Sequence, residues 1–131
     1  MTSRRHPAEP RSPQPPGGVD LALQAADDLK ARDVVALDLR GINDATDWFI
    51  IGSGTSDAHV RGIAHAVLER LEAAGVRVHH VEGLTTGRWV LLDFVDLVVH
   101  LFHPEARAFY QLERLWSDAP RLRVVAERSS S

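Results

Sequence analysis

Gly52-Ser53-Gly54-Thr55-Ser56 stands where an apolar run gives way to a helical period, the kind of junction at which helix N-termini bind phosphate. The spacing does not fit a dinucleotide loop, because Asp57 occupies the place of the third glycine in GxGxxG. Nor does it fit a Walker loop, which needs Gly-Lys-Ser/Thr. The plain reading is a tight turn and a helix cap; a nucleotide site or residual nucleotidyltransferase on the Gly52–Ser56 turn is the alternative. Asp93 and Asp96 flank a hairpin, where paired carboxylates could hold Mg²⁺ or share a proton. Their spacing does not put both on one strand face, so they read as residues that close the turn. Of the seven histidines, His59 and His65 are separated by about 240° around a helix. His79 and His80 are neighbours on a strand and face opposite ways. His100 lies in the apolar stretch Leu97–Phe102 and reads as a hydrogen-bonded structural histidine. No HExxH spacing occurs, so no metal is expected. With no cysteine, a disulfide scaffold, a thiolate metal site and a cysteine nucleophile are excluded. No catalytic set emerges.

Binding chemistry is better represented. Trp48 falls in a core run and Trp116 on an apolar helix stripe, so both read as packing. Trp89 follows the loop Glu82–Arg88 and opens a strand, and reads equally as core or as a binding anchor. Tyr110 sits about 100° from Phe109 on a helix, at the edge of the stripe made by Phe109, Leu112 and Trp116. Glu113, three residues on, shares its face. Charge points the same way. The 131 residues carry a net charge of −3, but segment 21–116 holds 9 basic and 14 acidic residues. An aromatic beside an acid on an acidic domain suits a basic protein partner, and argues against holding nucleic acid by its phosphates. An ordinary solvated helix face is the bland alternative. No apolar run approaches the roughly 18 residues of a membrane span.

These residues need elements to position them. Residues 1–18 contain five of the seven prolines and no apolar period, and read as a disordered tail that is not a secretory peptide. Residues 119–131 read as a flexible C-terminal tail. Between them the pattern predicts a helix over 19–31 and strands over 34–39 and 47–53. A second helix is predicted over 56–74, capped by Thr55 or Ser56 and stopped by Gly75. Strands over 76–81, 89–93 and 96–102 and a last helix over 104–116, opened by Pro104, complete the order α-β-β-α-β-β-β-α. The stretch 47–81 implies one parallel crossover and the short links imply hairpins. The expectation is an α/β (mixed α+β) domain with about five strands in a mixed sheet flanked by helices.

Several blocks together resemble the ribosomal silencing factor family, also called Iojap-related proteins. They are Asp27–Lys30 with Asp33–Asp38, Thr46–Ser56 with His59-Val60, Val81–Gly83, Arg88–Phe94, Val98–Phe102, and Arg107 with Tyr110–Trp116. The resemblance covers about 20–118, so the family domain is set at 19–118. It implies a nucleotidyltransferase-like fold without known transferase activity. The residues agree: after Gly52-Ser53 no acid-x-acid pair follows for two metals, since Asp57-Ala58-His59 fails and Asp93 and Asp96 are three apart. The resemblance further implies a cytoplasmic translational repressor. It would bind the large ribosomal subunit through that subunit's fourteenth protein and block joining to the small subunit, as in starvation. It would be a homodimer when free, with no cofactor, no membrane and no sequence-specific nucleic acid as partner. Trp89 and Tyr110 match the family's contact positions; Glu82, Asp93 and Glu113 join them as expected contacts on charge and placement.

Overall fold

The computed structural model describes residues 17–41 and 44–106. The first helix, α1, spans Gly17–Asp28, two residues earlier at its start than the apolar period suggests. It ends at a left-handed Lys30 (φ 62°). The Lys30 N–H donates to the Asp27 carbonyl and the Ala31 N–H to the Ala26 carbonyl, both at 2.9 Å. This is the paired capping pattern that usually recruits glycine. Strands β1 (Arg32–Asp38) and β2 (Trp48–Ser53) follow, then α2 (Asp57–Ala73), β3 (His80–Glu82), β4 (Trp89–Asp93) and β5 (Leu97–Phe102). Pro104–Ala106 are helical as expected. The rest of the expected last helix, with Tyr110, Glu113 and Trp116, lies outside the described residues, as do residues 1–16.

Helix α2 is bounded by the residues that its sequence advertises. The Ser56 hydroxyl accepts the His59 N–H at 3.0 Å. At the other end Gly75 takes φ 86°, its N–H reaches the Glu72 carbonyl at 2.9 Å, and the Val76 N–H reaches Leu71 at 2.8 Å. Val76 therefore serves the helix end and packs on the core, which corrects the expected strand over 76–81. Only His80–Glu82 pair in the ladder, preceded by a single His79 N–H bond to the Asp93 carbonyl.

The five strands form one mixed sheet in the order β1-β2-β5-β4-β3. β1 and β2 are an antiparallel pair, β2 and β5 are parallel, and β5-β4-β3 is an antiparallel meander. The parallel neighbour of β2 is thus β5, not the strand that directly follows α2. β3 runs in the same direction as β2 but three strands away, with β5 and β4 between them. All six residues of β2 are buried, as an unbroken apolar run in a central strand requires.

Alternation along the strands divides the molecule into two apolar layers. Both helices cover one face, where Leu23, Ile63, Val67 and Leu71 pack with Trp48, Ile50, Val90, Leu92, Val99 and Leu101. On the opposite face Val35, Leu37, Phe49, Ile51 and Phe102 join Ala106, with Trp89 and Val98 packed at the margin.

Candidate functional site

The β4 run Trp89-Val90-Leu91-Leu92-Asp93 alternates half-buried and buried. Val90 and Leu92 enter the helix-side core, so Trp89, Leu91 and Asp93 stand on the other face. Antiparallel pairing then places two β3 residues on that face. His80 lies opposite Asp93, and Glu82 opposite Leu91. From β5, Val98, His100 and Phe102 join them, paired with Asp93, Leu91 and Trp89. The fold therefore brings together three of the five expected contact residues, Trp89, Asp93 and Glu82. Tyr110 and Glu113 lie outside the described residues.

Trp89 is the best-supported side chain of the face. Its indole stacks on Phe102 with ring centroids 5.2 Å apart and planes at 27°. Its Nε1–H donates to His100 Nδ1 at 3.2 Å. His100 in turn lies 4.6 Å from Phe49, centroid to centroid. Phe49, His100, Phe102 and Trp89 form a connected aromatic row across β2, β5 and β4. His100 is only 5% exposed, and burial pushes its pKa down from 6.5 to about 4. Its ring is neutral at physiological pH. Because Nδ1 accepts from the indole, the proton sits on Nε2, which has no hydrogen-bond partner among the described residues.

Beside this row an open groove of about 430 Å³ is lined by Phe49, Leu91, Val98 and His100 together with His79, Asp93 and Val95. Asp93 has a structural duty as well: its Oδ1 accepts the Val95 N–H at 2.8 Å, holding Val95 at φ 78° in the β4–β5 turn. Asp96 serves the same hairpin through its backbone N–H, which donates to the Phe94 carbonyl at 3.0 Å, while its carbonyl accepts the N–H groups of Asp47 and Trp48 and ties the turn to the start of β2. The pair thus closes a turn, as the sequence suggests. Glu82 is exposed and meets His80 Nε2 at 2.8 Å.

The glycine-rich turn between β2 and α2 is spent on its own fold. The Gly54 N–H donates to the Phe102 carbonyl at 3.0 Å, and the Thr55 N–H to His59 Nδ1 at 2.8 Å. His59 Nε2 then donates to the Leu29 carbonyl at 2.6 Å, tying α2 to the end of α1. A Cβ on Gly54 would lie 2.8 Å from Val60 Cγ2, so this glycine is required by close packing. An anion cradle needs free N–H groups, and those of residues 54 and 55 are engaged. Asp57 also adds a carboxylate to the first turn of α2. Among the described residues no group of three or more His, Asp or Glu is placed to hold a metal. No described helix is long and apolar enough to cross a membrane.

Sequence reasoning missed the part played by His100. It identified a hydrogen-bonded histidine but not that the bond runs to Trp89. The available signal was register: once β4 and β5 are recognised as a hairpin about Phe94-Val95, Trp89 and His100 fall diagonally on one face.

Fold and site together define a mixed α/β domain whose second face carries a half-buried tryptophan, braced by buried rings, beside Asp93 and Glu82. The chain belongs to the ribosomal silencing factor family: residues 12–131 match the family model described as Ribosomal silencing factor during starvation. It is 43% identical over 106 residues to the ribosomal silencing factor of Halalkalibacterium halodurans, covering 81% of this chain and 91% of that one. It is 44% identical over 100 residues to that of Bacillus subtilis, covering 76% and 85%. A mouse protein named for mitochondrial assembly of the ribosomal large subunit is 31% identical over 102 residues, 76% of this chain and 45% of its own length. A crystal structure from Chromobacterium violaceum superposes with a TM-score of 0.75 at 32% identity, covering 87% of this chain and 88% of that one. The bacterial names are those of a regulatory factor rather than an enzyme.

Proposed function

We propose that this protein represses translation by binding the large ribosomal subunit through that subunit's fourteenth protein and sterically blocking the small subunit. Family membership gives the silencing role. The large subunit as target is supported by the resemblance and by the name of the mouse relative. The observation that carries the site is the half-buried Trp89, braced by Phe102 and His100 on a face that also bears Asp93 and Glu82. A braced aromatic is an efficient anchor, because little side-chain freedom is lost on docking. Flanking carboxylates favour a basic protein surface and disfavour RNA phosphates. Truncation of such an anchor typically costs about 2–4 kcal/mol of binding. Tyr110 and Glu113 belong to the same proposed contact set.

The test is co-sedimentation with purified large and small subunits. The protein should travel with large subunits, and Trp89→Ala should lose roughly 30-fold or more in affinity while keeping its circular dichroism. Wild-type binding by Trp89→Ala would remove this face from the interface. The reading places the protein in the cytoplasm with its target. It also includes a homodimer in the free state, which light scattering of the free protein checks. A nucleotide-binding role for the Gly52–Ser56 turn is not favoured, since its N–H groups at 54 and 55 are taken.

A further inference from the structure

We infer that His100 is a positioning residue for docking: as a neutral, Nε2-protonated imidazole it fixes the attitude of the Trp89 indole toward the partner. The inference rests on the reading of Trp89 as the anchor. An indole nitrogen can only donate, so the 3.2 Å contact requires an acceptor at His100 Nδ1 and a proton at Nε2. The histidine is itself held rigidly. It sits in the middle of β5 between β2 and β4, opposite Ile51 and Leu91. Phe49 packs on its ring at 4.6 Å, and 95% of its surface is out of solvent.

Trp89, by contrast, stands at the first position of β4, next to the loop that turns at Gly83 and Gly87. Stacking on Phe102 restrains the indole plane but fits either of two ring orientations related by a half-turn about the Cβ–Cγ bond. The bond to His100 selects one of these orientations and thus which edge of the indole faces outward. A phenyl ring at position 100 would fill the same space and keep the packing, yet give the indole N–H nothing to bond. The neutral ring also brings no positive charge to a face proposed to meet a basic partner.

Two variants separate hydrogen bonding from packing. His100→Phe keeps the ring and removes the acceptor; His100→Asn places an amide oxygen near the position of Nδ1. Two readouts separate this inference from the proposed function. The first is the Trp89 indole N–H signal in ¹H–¹⁵N spectra of the free protein, assigned by its loss in Trp89→Phe. The second is co-sedimentation with large subunits. His100→Phe should shift the indole signal, speed its solvent exchange, and weaken binding roughly tenfold, the equivalent of about one hydrogen bond. His100→Asn should restore both most of the way. An unchanged indole signal in His100→Phe overturns the positioning role without reference to the ribosome. A changed signal with unchanged binding overturns its link to docking. If Trp89→Ala alone binds normally, the proposed interface fails, while the indole signal still judges the pairing. Should His100→Phe fail to fold, the Asn variant carries the test: an indole signal and affinity like wild type support the role, and loss of both in a folded protein overturns it.

Discussion

The burial of His100 has a measurable consequence for stability. The unfolded chain takes up the imidazole proton near pH 6.5, the folded chain only near pH 4, because burial penalises the charged ring. Between those values the unfolded state binds more protons, so stability falls as the pH falls. The group has no effect above about pH 6.5, its penalty grows toward pH 4, and it is constant below. At about 1.4 kcal/mol per unit, the full penalty is roughly 3 kcal/mol, of which about 2 kcal/mol is already present at pH 5. With a urea slope of about 1–2 kcal/mol/M for a domain of this size, the His100 share of the loss from pH 7 to pH 5 is a midpoint shift of roughly 1–2 M. Asp93 and His79 are the titratable groups that line the same groove. They and the other histidines remain in His100→Phe, so the difference between the two proteins isolates His100. The assay is urea unfolding followed by circular dichroism at pH 7 and pH 5. The variant should lose less stability on acidification by that amount. An equal loss in both proteins would refute the account of a buried neutral ring.

Other expectations follow from backbone geometry and capping. Gly75→Ala faces open space at φ 86° and should cost about 1–2 kcal/mol, the left-handed penalty alone. Gly83→Ala adds to the same penalty (φ 80°) a Cβ that would overlap the Trp89 carbonyl oxygen, so it should cost clearly more and disturb the Trp89 indole signal. Equal melting points for the two variants would count against that contact. Ser56→Ala removes the acceptor of the His59 N–H and should lower stability by about 1 kcal/mol in thermal unfolding. Titration calorimetry with Mg-nucleotides should give no heat from the Gly52–Ser56 turn, whose N–H groups at 54 and 55 are bonded within the protein.

The sequence made some elements plain and concealed others, for reasons of range. Helix α2 was legible because Ser56, an apolar stripe and Gly75 all act locally. β4 was legible to the residue, and β2 declared itself a central strand by its continuous apolar run. The end of α1 was hidden because a lysine occupies the left-handed position where glycine is the usual signal. β3 was overextended because Val76 and Val78 alternate as a strand would; tertiary packing assigns the first to the helix cap and leaves the second exposed. The parallel pairing of β2 with β5 joins residues some fifty positions apart, and nothing local encodes it. The candidate site divides in the same way. Trp89, Asp93 and Glu82 could be named from type and place, but their shared face depends on the β3–β4 register. His100 gained its meaning only from the β4–β5 register, which sets it beside Trp89.

Blocking of subunit joining can be measured directly. Purified large and small subunits are mixed at association-promoting magnesium, and the rise in light scattering is followed with increasing protein. Wild-type protein preincubated with large subunits should suppress the rise in proportion to their occupancy. Preincubation with small subunits alone should give no added effect, and Trp89→Ala should need roughly 30-fold more protein for the same suppression. Full joining in the presence of saturating, folded wild-type protein would show that this protein does not block subunit association.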